Sequence, residues 1–235
     1  MNFTAKGRKY GISTNGVITQ LDHKPFTYNP EYSAIYDSEQ YKRGSDLLQA
    51  LRAGFPCASH GRPINSLMDV GYGNAAFINF VKKRLEITSA NTRCGEIEIS
   101  RDEGGLVPYV YGHDITGVPL DGAYLMPEFV KADVYTFHDV LEHFPDCSFL
   151  KDLPTETICI SLPYCHFHTE GLDWFENKYH HLKPDEHIRH FNPWSLTAFM
   201  NQFGWKAVAE SGHEDIVRKG KGGLRNILSM SFKRE

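Results

Sequence analysis

The stretch Ser66-Leu67-Met68-Asp69-Val70-Gly71-Tyr72-Gly73-Asn74-Ala75-Ala76-Phe77 constrains this chain more than any other. It reads as a short apolar strand, an acidic residue, a glycine-rich turn, and a helix carrying Phe77, Ile78, Phe80 and Val81 on its apolar side. Glycines at 71 and 73 let the backbone turn sharply and leave no Cβ between the turn and whatever approaches it. A helix that starts there opens with N–H groups that have no partner inside the helix, and these face the space over the turn. Two glycines in an α/β turn are common and bind nothing by themselves, so the downstream order of elements decides the reading.

That order is regular. Residues 1–36 have no clean period and read as an irregular arm with a hairpin at Asn15-Gly16; Tyr10, Tyr28, Tyr32 and Tyr36 pack it down or form a lid. A helix is expected over Asp37–Ala53, with Asp37 and Gln40 as a capping box, Leu47, Leu48 and Leu51 on one face, and Gly54 as its left-handed stop. Phe55–Asn65 is a loop and Ser66–Val70 the first strand. Thr92–Ser100 reads as the second strand, with Glu96 and Glu98 near its end, 23 and 25 residues beyond Gly73. At that distance an acidic side chain on the tip of a second strand reaches ribose hydroxyls. A shortened link then leads to Tyr109–Ile115, a strand ending at Asp114.

Strand four, Ala132–Phe137, delivers His138-Asp139-Val140-Leu141-Glu142-His143; strand five, Thr157–Leu162, ends at Pro163-Tyr164-Cys165-His166. The connection 167–191 is too polar and irregular to be pure core, and loops of that length in a compact domain are usually functional. A helix follows with Asn192 as N-cap, Pro193 at its first position and Gly204 at its stop, then an antiparallel pair, Trp205–Ser211 with Asn226–Phe232.

Composition removes several classes. The chain has 235 residues, enough for one good core. No run of about 18 apolar residues is present, so no membrane span is expected, and Met1–Lys6 has no apolar leader. Five cysteines without a C-x-x-C pair argue for reduced thiols, a cytoplasmic location, and against a disulfide framework or structural zinc. A net charge of −4 without a basic block disfavours nucleic acid as partner. Eight of the twelve histidines lie between 138 and 190, which marks that region as the place for acid–base chemistry.

Taken in order, D-V-G-Y-G-N, E-I-S, G-H-D-I, D-V-Y-T-F-H-D-V-L-E-H-F-P-D, I-S-L-P-Y and P-D-E-H-I-R-H-F-N-P-W-S-L resemble the class I S-adenosylmethionine-dependent methyltransferases. The resemblance is to the small-molecule branch with a D-V-L-E-H segment after strand four, and it covers residues 66–232. It implies an α/β fold with a Rossmann-like mixed seven-stranded sheet, an arm and helix over 1–54 on the substrate side, and a cofactor-binding domain over 55–235. The implied cofactor is S-adenosyl-L-methionine. Asp69, Gly71 and Gly73 would shape the pocket for its methionine part, and Glu98 (or Glu96) would hold the ribose. Asp114 and Ile115 would take the adenine, and Phe137 and His138 would line the methionine side. Where the family often has a third glycine, this chain has Ala75.

Methyl transfer from a sulfonium is an in-line displacement that leaves a neutral thioether, so a hydroxyl acceptor needs a base but no strong acid. His143, His166 and either His187 or His190 are the candidate catalytic bases, each with packing as the alternative role. The expected reaction is O-methylation of a small polar acceptor, sugar-like or polyhydroxyl. Asp139-x-x-Glu142-His143 also resembles the E-x-x-E-H segment of two methyltransferase groups, which form the 2′-O-methyl end of small RNAs or methylate ubiquinone precursors, and in which a divalent metal activates a hydroxyl. Metal is the less favoured reading, because L-E-H after strand four is common in relatives without one. Metal-assisted 2′-O-methylation of an RNA end and a non-catalytic cofactor-binding module are the alternatives. The sequence names neither the acceptor nor the oligomeric state.

Overall fold

The computed structural model describes residues 1–26, 39–73, 75–82, 109–114, 124–125 and 129–235. The chain divides into two compact units, Met1–Asn29 with Asp139–Leu153 and Ile160–Glu235, and Pro30–His138 with Pro154–Cys159.

The second of these is a parallel sheet with a helix. It holds β4 (Ser66–Val70), β5 (Tyr109–His113), β6 (Tyr124–Leu125), β7 (Val134–His138) and the start of β8 (Thr157–Pro163), in the order β8-β7-β4-β5-β6. Leu67 of β4 registers with Val110 of β5 on one side and with Val134 of β7 on the other, both parallel. Parallel strands are covered on both faces, so they read as apolar runs, and Leu67, Met68, Val70, Val134, Tyr135 and Phe137 are all buried. Leu67, Tyr72, Ala75, Phe77, Ile78 and Val110 form the core under the glycine turn.

The strand beside β4 is Tyr109–His113. Thr92–Ser100 itself, with Glu96 and Glu98, lies outside the described residues, as does Ile115. The helix α1 runs Glu39–His60, not to Ala53. Gly54 and Pro56 are carried inside it, and the left-handed residue after its end is Gly61, with φ 78°. An interior glycine costs a helix about 1 kcal/mol and a proline deletes one N–H bond, which packing can offset. Leu48 is buried and Leu47 exposed, so the apolar face is narrower than three leucines suggested.

The first unit contains the rest of β8, then β11 (Ile227–Arg234) and β10 (Trp205–Ser211), which brings the sheet to seven strands, as expected. β10 and β11 are antiparallel from Trp205↔Arg234, with an irregularity between Ala207 and Ala209. The Trp205 indole N–H donates to the Leu150 carbonyl at 2.8 Å, which satisfies the one polar atom of a fully buried ring. A helix, Pro193–Asn201, is capped as its sequence indicates. The Asn192 side chain accepts the Ser195 N–H at 2.8 Å, the Ser195 hydroxyl accepts the Asn192 N–H at 3.0 Å, and Gly204 (φ 80°) follows the helix.

The N-terminal arm is a sheet rather than an irregular segment. β1 (Asn2–Ala5), β2 (Arg8–Ile12) and β3 (Ile18–Gln20) form an antiparallel meander, with the foreseen hairpin at Asn15-Gly16 and a second at Lys6-Gly7, where φ is 44° and 70°. Its fourth strand is distant in sequence: β9, Arg189–His190, pairs with Thr19 and Ile18. Tyr10 and Ile18 pack with Phe175, Tyr179 and Leu182 in a buried cluster. The connection 167–191 is ordered too, since Phe167–Asn177 is a helix interrupted at Gly171, whose φ is 78°. Period alone missed it because Gly171 splits its pattern into two short pieces.

Candidate active site

The glycine turn has the geometry its sequence promised. Gly71 and Gly73 have φ of 73° and 53°, and a Cβ built at Gly73 meets no atom of the described residues within 4 Å. Ala75 also lies in the left-handed region, at φ 62°, and its N–H donates to the Tyr72 carbonyl at 2.8 Å. The position therefore calls for a glycine conformation, and alanine adopts it at a cost of roughly 1 kcal/mol.

The turn is tied twice to the end of β5. The Gly71 N–H donates to the His113 carbonyl at 2.7 Å, and the Gly73 N–H donates to Asp114 Oδ2 at 3.0 Å. Asp114 follows the strand adjacent to β4. Asp69 is buried; its Oδ1 accepts the Thr136 hydroxyl at 2.7 Å and lies 3.4 Å from His138 Nδ1. The His138 ring meets the edge of Phe77 at 4.7 Å between centroids, whereas Phe137 is fully buried in the core. The nucleotide-pocket candidates Asp69, Gly71, Gly73, Asp114 and His138 thus share one unit, at the C-terminal ends of β4, β5 and β7.

The second group of candidates lies in the other unit. A single 3-10 turn, Leu141–His143, follows β7 and carries Glu142 and His143. His187 comes from the loop before β9, and its ring stands edge-on to His143 at 4.7 Å between centroids. That loop is fastened from several directions. The Ile188 N–H donates to the Glu142 carbonyl at 3.1 Å, and Arg189 donates to the carbonyls of Phe144 and Pro145. Asp185, at φ 69°, receives Arg8, the Gln20 amide at 2.8 Å and the Lys24 N–H at 3.0 Å, so the meander anchors the loop that presents His187.

Burial, with His187 beside it, holds His143 down at about 4, so its ring is neutral at pH 7. Glu142 is 1% exposed; burial first, and then the Asp139 carboxylate, push its pKa well above the usual range. Asp139 itself sits at φ 55°, a left-handed conformation that local strain reserves for constrained sites. Arg218 bridges Asp139 Oδ2 at 2.8 Å and the fully buried Glu214 at 3.1 Å. Glu142, His143 and His187 each offer a ligand atom within 4.8 Å of the others, a set that sequence spacing alone could not assemble.

His166 is not part of this group. One ring nitrogen lies 2.8 Å from the Arg225 carbonyl, to which it donates, and the ring stacks on Tyr164 at 4.1 Å. Its partners are those of a packing histidine at the head of a helix.

No protein-family model matches the sequence, and no curated protein matches it. Solved structures do match the fold. The complex between the Haloferax volcanii Trm112 methyltransferase activator and a protein assigned as a methyltransferase aligns with TM-score 0.51 at 10% identity, covering 88% of this chain and 99% of that one. A Burkholderia thailandensis 1,6-didemethyltoxoflavin N1-methyltransferase with bound S-adenosylhomocysteine aligns at TM-score 0.49 and 13% identity over 99% and 97%. Magnesium protoporphyrin IX methyltransferase from Synechocystis PCC 6803, also with bound S-adenosylhomocysteine, aligns at TM-score 0.48 and 13% identity, covering 90% of each chain. The fold is the Rossmann-like α/β fold of methyltransferases.

Proposed function

We propose that this chain is an S-adenosylmethionine-dependent methyltransferase acting on a hydroxyl of a small polar acceptor. The observation that carries the reading is the bond from the Gly73 N–H to Asp114 Oδ2, which sets an acidic side chain against a glycine turn that no other described residue crowds at Gly73. That pairing suits a nucleoside: an open backbone face for the amino-acid part and a carboxylate for ribose hydroxyls. Asp114 is therefore proposed for the ribose role first given to Glu98, with Asp69 and His138 on the methionine side.

For the acceptor, the His143–His187 pair supports the base role, and His166 drops out because its partners are structural. A base as acidic as His143 takes a proton weakly, so His187 is the better candidate of the two. The arm over 1–54 is proposed to serve the substrate side, since β3 holds β9 next to His187. When bound, the cofactor supplies the electrophilic methyl group; the protein's residues position the acceptor oxygen and hold its proton. Among the described residues no helix is long and apolar enough to cross a membrane, consistent with a polar acceptor met in water.

The test is calorimetry with S-adenosylmethionine on the wild type and on Asp114→Asn. Binding by the wild type that weakens about tenfold in the variant supports the reading. No binding by the wild type overturns it.

A further inference from the structure

The geometry points to a divalent transition-metal site formed by Glu142, His143 and His187. This does not depend on methyl transfer; with an ion bound, His187 Nε2 is a ligand, and the base role proposed above belongs to the metal-free form.

Three observations carry the inference. First, both carboxylate oxygens of Glu142 are buried and have no hydrogen-bond partner among the described residues. Burying such a group without partners costs several kcal/mol, and a cation removes that cost. Second, His187 Nδ1 lies 2.9 Å from the His181 carbonyl oxygen. A carbonyl only accepts, so Nδ1 carries the hydrogen and Nε2 of the neutral ring keeps its lone pair. Metal-bound histidines use this arrangement, with the second nitrogen held by a carbonyl. Third, the three ligand atoms lie within 4.8 Å of one another. Donors about 2.1 Å from an ion stand roughly 3–3.5 Å apart, so side-chain rotations of about 1 Å complete the set.

Two imidazoles and one carboxylate select a first-row divalent transition ion over magnesium or calcium, which prefer all-oxygen surroundings. Other charges around the group are balanced locally. Glu186 Oε1 accepts from Lys183 at 3.0 Å and lies 3.5 Å from His187 Nε2, and Asp139 is bridged to Arg218. Glu186 is thus the group that His187 Nε2 faces until an ion takes its place.

The test uses the full chain stripped with chelator and titrated with cobalt(II) or zinc chloride. Saturable uptake of one equivalent is expected, with a rise of several degrees in melting temperature. Glu142→Gln and His187→Asn should weaken uptake 10- to 100-fold, while His168→Asn, a histidine bonded elsewhere to the Gly16 carbonyl, leaves it unchanged. If either variant fails to fold, zinc added to nitrogen-15-labelled wild type should shift the His143 and His187 ring resonances. Absence of stoichiometric uptake, uptake undiminished in both variants, or unmoved ring resonances overturns the site. Donor binding is measured on the same samples: metal uptake without it would sink the methyl-transfer reading and leave this one standing.

Discussion

The ring of Tyr72 occupies the space that a side chain on Gly112 would need, since a Cβ built there falls 2.7 Å from Tyr72 Cδ1 and 2.9 Å from Ile78 Cδ1. The glycine turn is therefore shaped by a residue 40 positions away, on the strand beside it. Gly112→Ala should push Tyr72 out of its seat, lower stability by about 1–3 kcal/mol and weaken S-adenosylmethionine binding. Urea denaturation and calorimetry read both; wild-type values would show the contact to be slack.

Ala75 offers the opposite experiment. Its left-handed backbone is strained by a Cβ that glycine lacks. Ala75→Gly should leave stability unchanged or raise it by up to about 1 kcal/mol, because relief of strain outweighs the added freedom of the unfolded chain. Ala75→Val should cost about 2 kcal/mol or more, a branched side chain being worse at that φ and crowded in a buried site. Equilibrium denaturation of the pair checks the ordering.

Arg218 is the counter-ion of a fully buried Glu214 as well as of Asp139. Arg218→Ala should cost about 3 kcal/mol, chiefly by removing the positive charge beside the buried Glu214 carboxylate. Adding Glu214→Gln should recover part of that loss. Equal stability of single and double variants in urea would show that the ion pair with Glu214 is not the source.

Acid should unfold this protein early. Burial holds His143 down at about 4 and His181 at about 3, and pushes His190 lower still than its ordinary value. For a depressed histidine, the stability it contributes is present above the unfolded pKa near 6.5 and is lost as pH falls through the folded value. Glu142 works the other way: its raised pKa means stability present below about 4.5 and lost as pH rises through the folded value. Three depressed histidines against one raised carboxyl leave a net slope of roughly 2–3 kcal/mol per pH unit near pH 5 in the metal-free protein. Glu142→Gln should steepen that slope and stabilise the metal-free protein at pH 8. Denaturation midpoints between pH 5 and 8 give the answer.

What could be read from the sequence was what local chemistry sets. The Asn192 cap needs only an amide and a hydroxyl three residues apart, and the turn after Val70 needs only its glycines. Asn15-Gly16 announces its hairpin by itself. What stayed hidden depends on partners distant along the chain. Gly54 looked like a stop because no local signal says that the helix continues to Gly61. Tyr109–His113 was legible as a strand, but that it pairs directly with β4 is a tertiary choice. His166 and His187 looked equivalent as bases; only the Arg225 carbonyl at one ring and His143 at the other tell them apart.

The pairing of Thr19 with Arg189 sets a condition on how this protein comes into being. Once made, the meander must wait for some 170 further residues before its last edge is covered. Loop closure on that scale is slow, and until it happens the β3 edge is an open template for a neighbouring nascent chain. Refolding from denaturant should then be concentration-sensitive well before the final strands assemble, with the histidine loop among the last parts to arrive.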